Sequence, residues 1–188
     1  IASKIIDEFI KYKNYSGALD MCALFLQLKL DKWSIISKVV LESLKKSQEE
    51  DHKICNIIRL ILEFKPQKEF ICEVIYQAIN VKKYSLVFEM LPVLIKLNIA
   101  DLSFYLSIIY LVNDNGQCQE AWESCKSLLE LYPKSSNAWI ALGYTLMSLG
   151  KYQKALDVYA HTLKITPSTS FTTKSKIWSY IGLTLIYM

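Results

Sequence analysis

The chain has 188 residues, 52% of them hydrophobic, with only 5 glycines and 4 prolines, a balance that argues against disorder and for an ordered, helical core. Its 22 basic and 18 acidic residues leave a net charge of +4, and the lysines are scattered rather than gathered into a stripe, so nucleic acid is not an expected partner. Five cysteines without a CxxC pair, and only two histidines, speak against a zinc site or a closed disulfide framework and fit the cytoplasm or another reducing compartment.

In chain order, Ile5, Ile6 and Phe9 mark a partial first helix, and Tyr15, Ala18, Cys22 and Phe25 share one face of a second. Asn14-Tyr15-Ser16 matches a glycosylation sequon, a three-residue pattern that occurs often by chance and matters only in a secreted protein. Residues 33–45 and 51–64 read as two further helices, with Pro66 near the close. Lys45-Lys46 suit a helix C-terminus, and Glu49-Glu50-Asp51 suit the start of the next helix, where carboxylates favour the dipole. From Lys68, Ile71 and Val74 lie on a first helix and Tyr84, Val87, Leu91 and Leu94 on a second. Pro92 falls inside that second helix, where a proline costs ~3 kcal/mol, so a kink or an early break is expected.

The pattern is clearest in residues 136–167. With Ser136 as position 1, Trp139 falls at 4, Leu142 at 7, Gly143 at 8, Gly150 at 15, Tyr152 at 17, Ala155 at 20, Tyr159 at 24 and Pro167 at 32. A register 34 residues earlier places Tyr105, Ile108, Gly116, Ala121, Cys125, Leu128 and Pro133 at matching positions, and the stretch from Lys68 keeps the same period. Small residues at Gly143 and Ala155 let two helices approach closely, whereas Val74-Ile75 and Ile108-Ile109 lack the small residue and should pack less tightly. Near the end, Trp178, Ile181, Gly182 and Leu185 reproduce positions 4, 7, 8 and 11 if Ser175 is position 1, which makes the preceding segment a lengthened connection. Trp33, Trp122, Trp139 and Trp178 are expected in core or inter-repeat packing.

This spacing resembles the tetratricopeptide repeat, a helix–turn–helix unit of 34 residues. On that resemblance the chain is one domain with repeats at 1–32 (partial), 33–67 (degenerate), 68–101, 102–135, 136–169 and 175–188 (partial). The resemblance implies an all-α fold, an α-solenoid of antiparallel hairpins in a right-handed superhelix, whose first helices line a concave groove that holds a segment of a partner. Groove position 5 gives Cys72, Leu106 and Ile140, position 9 gives Tyr76, Tyr110 and Tyr144, and position 12 gives Ile79, Asn113 and Met147. Such a groove is aromatic and apolar, and suits a protein or peptide partner with apolar side chains. The alternative is that the tyrosines pack on the next repeat and expose only their hydroxyls. The lysine and asparagine of the repeats that grip a chaperone's C-terminal carboxylate are absent from these positions.

No phosphate-binding glycine loop, HExxH or GxSxG motif is present, and nothing calls for a cofactor or a metal. Asn113-Asp114-Asn115-Gly116 is read as the turn between two helices rather than a calcium loop, and His52 and His161 as surface residues. The uncharged runs 102–112 and 177–188 fall short of the ~20 apolar residues of a membrane span. No signal peptide is visible; the chain opens on Ile1 and stops inside an apolar run, which reads as a piece of a longer protein. The expected function is a non-catalytic interaction scaffold. Rival readings are a regulatory or targeting region of an enzyme whose catalytic domain lies elsewhere, and a trafficking adaptor at a membrane surface.

Overall fold

Paired helices joined by short turns realise the 34-residue spacing. The computed structural model describes residues 2–30, 32–46, 51–64 and 68–188. Among these residues the elements are α1 (Ala2–Lys11), α2 (Tyr15–Gln27), α3 (Trp33–Lys46), α4 (Asp51–Phe64), α5 (Lys68–Asn80), α6 (Tyr84–Lys96), α7 (Leu102–Asp114), α8 (Cys118–Leu131), α9 (Ser136–Ser148), α10 (Tyr152–Ile165) and α11 (Phe171–Tyr187), with no strand. Pro66, Glu49 and Glu50 lie outside the described residues.

Local chemistry sets the helix ends. Asp101 accepts the Phe104 N–H at 2.8 Å, Ser135 the Ala138 N–H at 3.3 Å, and Asn14 the Gly17 N–H at 2.9 Å, so the asparagine of the sequon pattern serves a helix start. Inside the α1–α2, α5–α6, α7–α8 and α9–α10 hairpins the chain turns through a left-handed residue. Gly116 (φ 82°) and Gly150 (φ 71°) take that place in the later repeats, while Lys13 (φ 58°) and Lys82 (φ 61°) take it in the earlier ones. A side chain there is strained by ~1–2 kcal/mol. The weaker signature of the first half therefore reflects a lysine doing a glycine's task, with the backbone turn unchanged in kind.

The residues divide into two compact units, Ile1–Met90 and Leu91–Met188, with the boundary inside α6. In the first, α2 packs against α1, α3 and α4, and α3 also against α5. Ile36, Val39, Val40 and Leu44 of α3 and Ile54, Ile57, Ile58 and Ile61 of α4 are almost wholly buried. Their second helices are also tied by ion pairs: Lys53 reaches Asp20 at 2.7 Å, Lys83 reaches Asp51, and Arg59 reaches Glu89 at 2.9 Å. The exposed Arg59–Glu89 pair contributes about 0–1 kcal/mol, whereas Lys83 and Asp51 are largely shielded from solvent; the apolar seam is the larger contribution.

In the second unit α7 packs on α8 and α9, and α9 is surrounded by α7, α8, α10 and α11. Gly143 permits the α9–α10 approach, since a Cβ there would stand 2.3 Å from a Tyr159 ring carbon. At the equivalent positions of the earlier repeats, Ile75 and Ile109 are buried.

Three expectations need correction. Pro92 does not break α6, which runs on to Lys96. The connection after α10 is not lengthened: α11 begins at Phe171, close to the regular period, and the extra residues extend the helix to 17. Its buried residues are Ile177 and Thr184, while Trp178 (60% exposed) and Leu185 (57%) face solvent and nothing lies within 4 Å of a Cβ at Gly182. The face that packs is thus rotated from Trp178, Ile181, Gly182 and Leu185 to Ile177, Tyr180 and Thr184, because the Tyr180 ring stacks on Tyr159 at 5.8 Å. Trp33 and Trp139 do bridge helices: Trp33 meets Phe70 edge-on at 5.0 Å, and Trp139 donates to the Pro133 carbonyl at 2.8 Å while packing on His161. Trp122 is partly exposed, with the Lys126 and Lys151 ammoniums over its ring.

Candidate functional site

Of the residues assigned to a groove by position, Tyr76 and Cys72 lie on α5 of the first unit, Tyr76 51% exposed and Cys72 partly so. In the second unit Tyr110, Tyr144 and Met147 are partly exposed, whereas Leu106, Asn113 and Ile140 are buried. The cause is the crowding around α7 and α9. Asn113 donates to Ser148 Oγ at 2.8 Å across the α7–α9 seam, and Ile140 sits on a helix covered by four neighbours. These three side chains serve packing and leave the tyrosines as the accessible part.

The tyrosines form a continuous run on the first helices of successive hairpins. Tyr110 of α7 meets Tyr144 of α9 at 5.5 Å between ring centroids, tilted by 61°. Tyr144 meets Tyr180 of α11 at 5.6 Å and 52°. Behind them the buried Tyr159 of α10 lies flat on Tyr180, with 7° between the planes. Each tilted pair adds about 0.5–1.5 kcal/mol beyond its area. Tyr180 escaped the sequence reading because it stands 36 residues from Tyr144 instead of 34, out of step with the period.

Two charges border this run. Asp114, at the end of α7, accepts the Tyr144 hydroxyl at 2.6 Å, and Lys176 of α11 places its ammonium 5.4 Å from the Tyr110 centroid and 6.0 Å from that of Tyr180. The hydrogen bond to Asp114, followed by burial, pushes the Tyr144 phenol up to about 12. Burial raises Tyr110, Tyr159 and Tyr180 as well, and the neighbouring phenols add to it for Tyr110 and Tyr159. All four stay neutral donors at physiological pH. Of these, the partly exposed Tyr110, Tyr144 and Tyr180 can offer ring surface and hydroxyls to a ligand, which is recognition chemistry.

The buried cysteines carry no reactive thiolate. Burial pushes Cys22, Cys55 and Cys125 up to about 12, with Glu89 adding to the rise at Cys55. Since the thiolate is the nucleophile, native protein at pH 8 should yield no more than two of its five thiols to a disulfide reagent, and all five in denaturant. A pKa raised in the folded state favours the protonated form, so this stabilisation is complete below the unfolded thiol pKa and is lost as pH rises from about 9 towards 12. Thermal melts across that range should fall in step with thiol exposure.

Among the described residues no group of three or more His, Cys, Asp or Glu is placed to hold a metal ion, and no helix is long and apolar enough to cross a membrane. Residues 124–157 match the family model of the tetratricopeptide repeat. That segment covers the end of α8, all of α9 and the start of α10, and together with the succession of helices around it fits a tetratricopeptide-type repeat protein. Such repeats typically serve as protein-interaction modules. Comparison with curated proteins returned no match.

Proposed function

We propose that this chain is a non-catalytic scaffold that holds a segment of a partner protein against the first helices of its hairpins, within a reducing compartment. The observation that carries this reading is the run Tyr110–Tyr144–Tyr180, contributed by three successive first helices and still partly open to solvent. The repeat signature requires no aromatic at Tyr110 or Tyr144, and partly exposed tyrosines supply rigid contact area with hydroxyls that bond a peptide backbone. Met147 on α9 adds apolar surface within this unit, which suits a partner segment with apolar side chains, and Tyr76 is exposed separately on the first unit.

The test is affinity capture by the whole chain, identification of what is retained, and titration of that partner against variants. Tyr110→Ser with Tyr144→Ser is expected to weaken binding at least tenfold, about 1.4 kcal/mol or more, while circular dichroism keeps its helical amplitude. Unchanged affinity in a folded variant removes this face from the function. Tyr76→Ser, made alone, reports separately on the first unit.

A further inference from the structure

We propose that Tyr110, Tyr144 and Tyr180, with Asp114 at their edge, form a recognition site for a basic side chain of the partner, preferably arginine, and that Lys176 occupies this site while the partner is absent. The inference rests on the reading that these tyrosines face the partner, and it names the chemistry they select.

A cation already sits there. The Lys176 ammonium lies over the faces of two of the three rings, at 5.4 and 6.0 Å, distances at which the negative face of the ring quadrupole attracts it. The rings are inclined to one another by 61° and 52°, so they present walls at an angle instead of a flat stack. Asp114 fixes the middle wall by accepting from Tyr144 and adds a full negative charge at the rim. Among the described residues Lys176 makes no ion pair with a carboxylate, and its side chain is exposed. An exposed ammonium held only by ring faces is displaced at little cost. With Lys176 swung away, the site keeps the Tyr110 and Tyr180 rings, Tyr144 between them and one carboxylate, which complement a cation. A guanidinium fits better than an ammonium because its plane stacks on a ring while its N–H groups reach a carboxylate.

The experiment titrates the whole chain with acetyl-Ala-Arg-Ala-Leu-amide and with the same peptide carrying citrulline, which keeps the shape and loses the charge, following the tyrosine ring resonances by NMR. The arginine peptide is expected to shift the Tyr110, Tyr144 and Tyr180 rings and to bind about fivefold or more tightly than the citrulline peptide. Lys176→Met, which retains the apolar stem, should bind the arginine peptide about threefold more tightly, and Asp114→Asn about fivefold more weakly. Equal binding of the two peptides, still ring resonances, or no gain in Lys176→Met overturns the proposal. Lys176→Met decides the matter even if Asp114→Asn loosens Tyr144. Should the tyrosine double variant lose the captured partner while the two peptides bind alike, the interaction face stands and the basic-residue site falls. Should the arginine peptide bind as expected while the double variant keeps its partner, the rings bind a cation but not the partner's, and both the interaction face and its basic-residue role fall.

Discussion

Tyr105→Ala is expected to destabilise the Leu91–Met188 unit by about 3–5 kcal/mol, the range for removing a large aromatic side chain from a close-packed interior. Tyr105 has no exposed surface. Its ring packs edge-on against Phe104 at 5.9 Å, and its hydroxyl closes the junction between α6 and α7 by donating to the Leu94 carbonyl and accepting the Ala100 N–H, both at 2.8 Å. A domain of this size is stable by about 5–15 kcal/mol, so the loss approaches the whole. Tyr105→Phe separates the ring from the hydroxyl. The Leu94 carbonyl keeps the Ile99 N–H at 3.1 Å, so the group stranded by this change is the Ala100 N–H. Its cost should be about 1–2 kcal/mol. Urea unfolding followed by circular dichroism reads both values, and a neutral Tyr105→Phe would show that the ring alone holds the junction.

Tyr105 also shows what the repeat spacing could and could not reveal. Position counting found it on the packing face, as it found Ile108, Cys125 and Leu128, because a buried stripe has to recur with the helical period. The same counting placed α5 to α10 with little error, since each hairpin repeats the same geometry. It failed at α11. That helix is apolar on most of its surface, and two of the residues it turns inward are Tyr180 and Thr184, the threonine satisfied by its own bond to the Tyr180 carbonyl at 2.7 Å. Counting positions from Ser175 therefore pointed to Trp178 and Leu185, which face outward. The inward face is selected by Tyr159 on the neighbouring helix, a partner that a local pattern does not contain.

The candidate site was legible to a similar depth. Tyr110 and Tyr144 stood out because the repeat does not require an aromatic there. Leu106, Asn113 and Ile140 shared their helix faces, but whether a face is open depends on the adjacent hairpin, and α9 is covered on four sides. Asp114 and Lys176 carried no signal as single charges among many. Their meaning comes from the rings beside them.

The second large effect is at Gly143, where Gly143→Ala is expected to lower stability by about 1–3 kcal/mol despite alanine's better helix propensity, which returns up to about 1 kcal/mol. The added carbon would lie 2.3, 2.7 and 2.8 Å from Cε1, Cζ and Cδ1 of Tyr159. Tyr159 has little room to yield, being fully buried and stacked on Tyr180. Tyr159→Leu on its own should be destabilising because it leaves a cavity. In the double variant, however, the clash is absent, and a double-mutant cycle should return a coupling of about 1–2 kcal/mol. Simple additivity would contradict the contact. Tyr159→Phe provides the complementary comparison. The Tyr159 hydroxyl is buried without a hydrogen-bond partner among the described residues, so its removal should be neutral or slightly stabilising. Because Tyr159 backs Tyr180, a displaced Tyr159 ring would also shift the wall of the aromatic site. Gly143→Ala should therefore weaken binding of the arginine peptide from a buried position, and an unchanged peptide affinity in the folded variant would uncouple the hairpin closure from recognition.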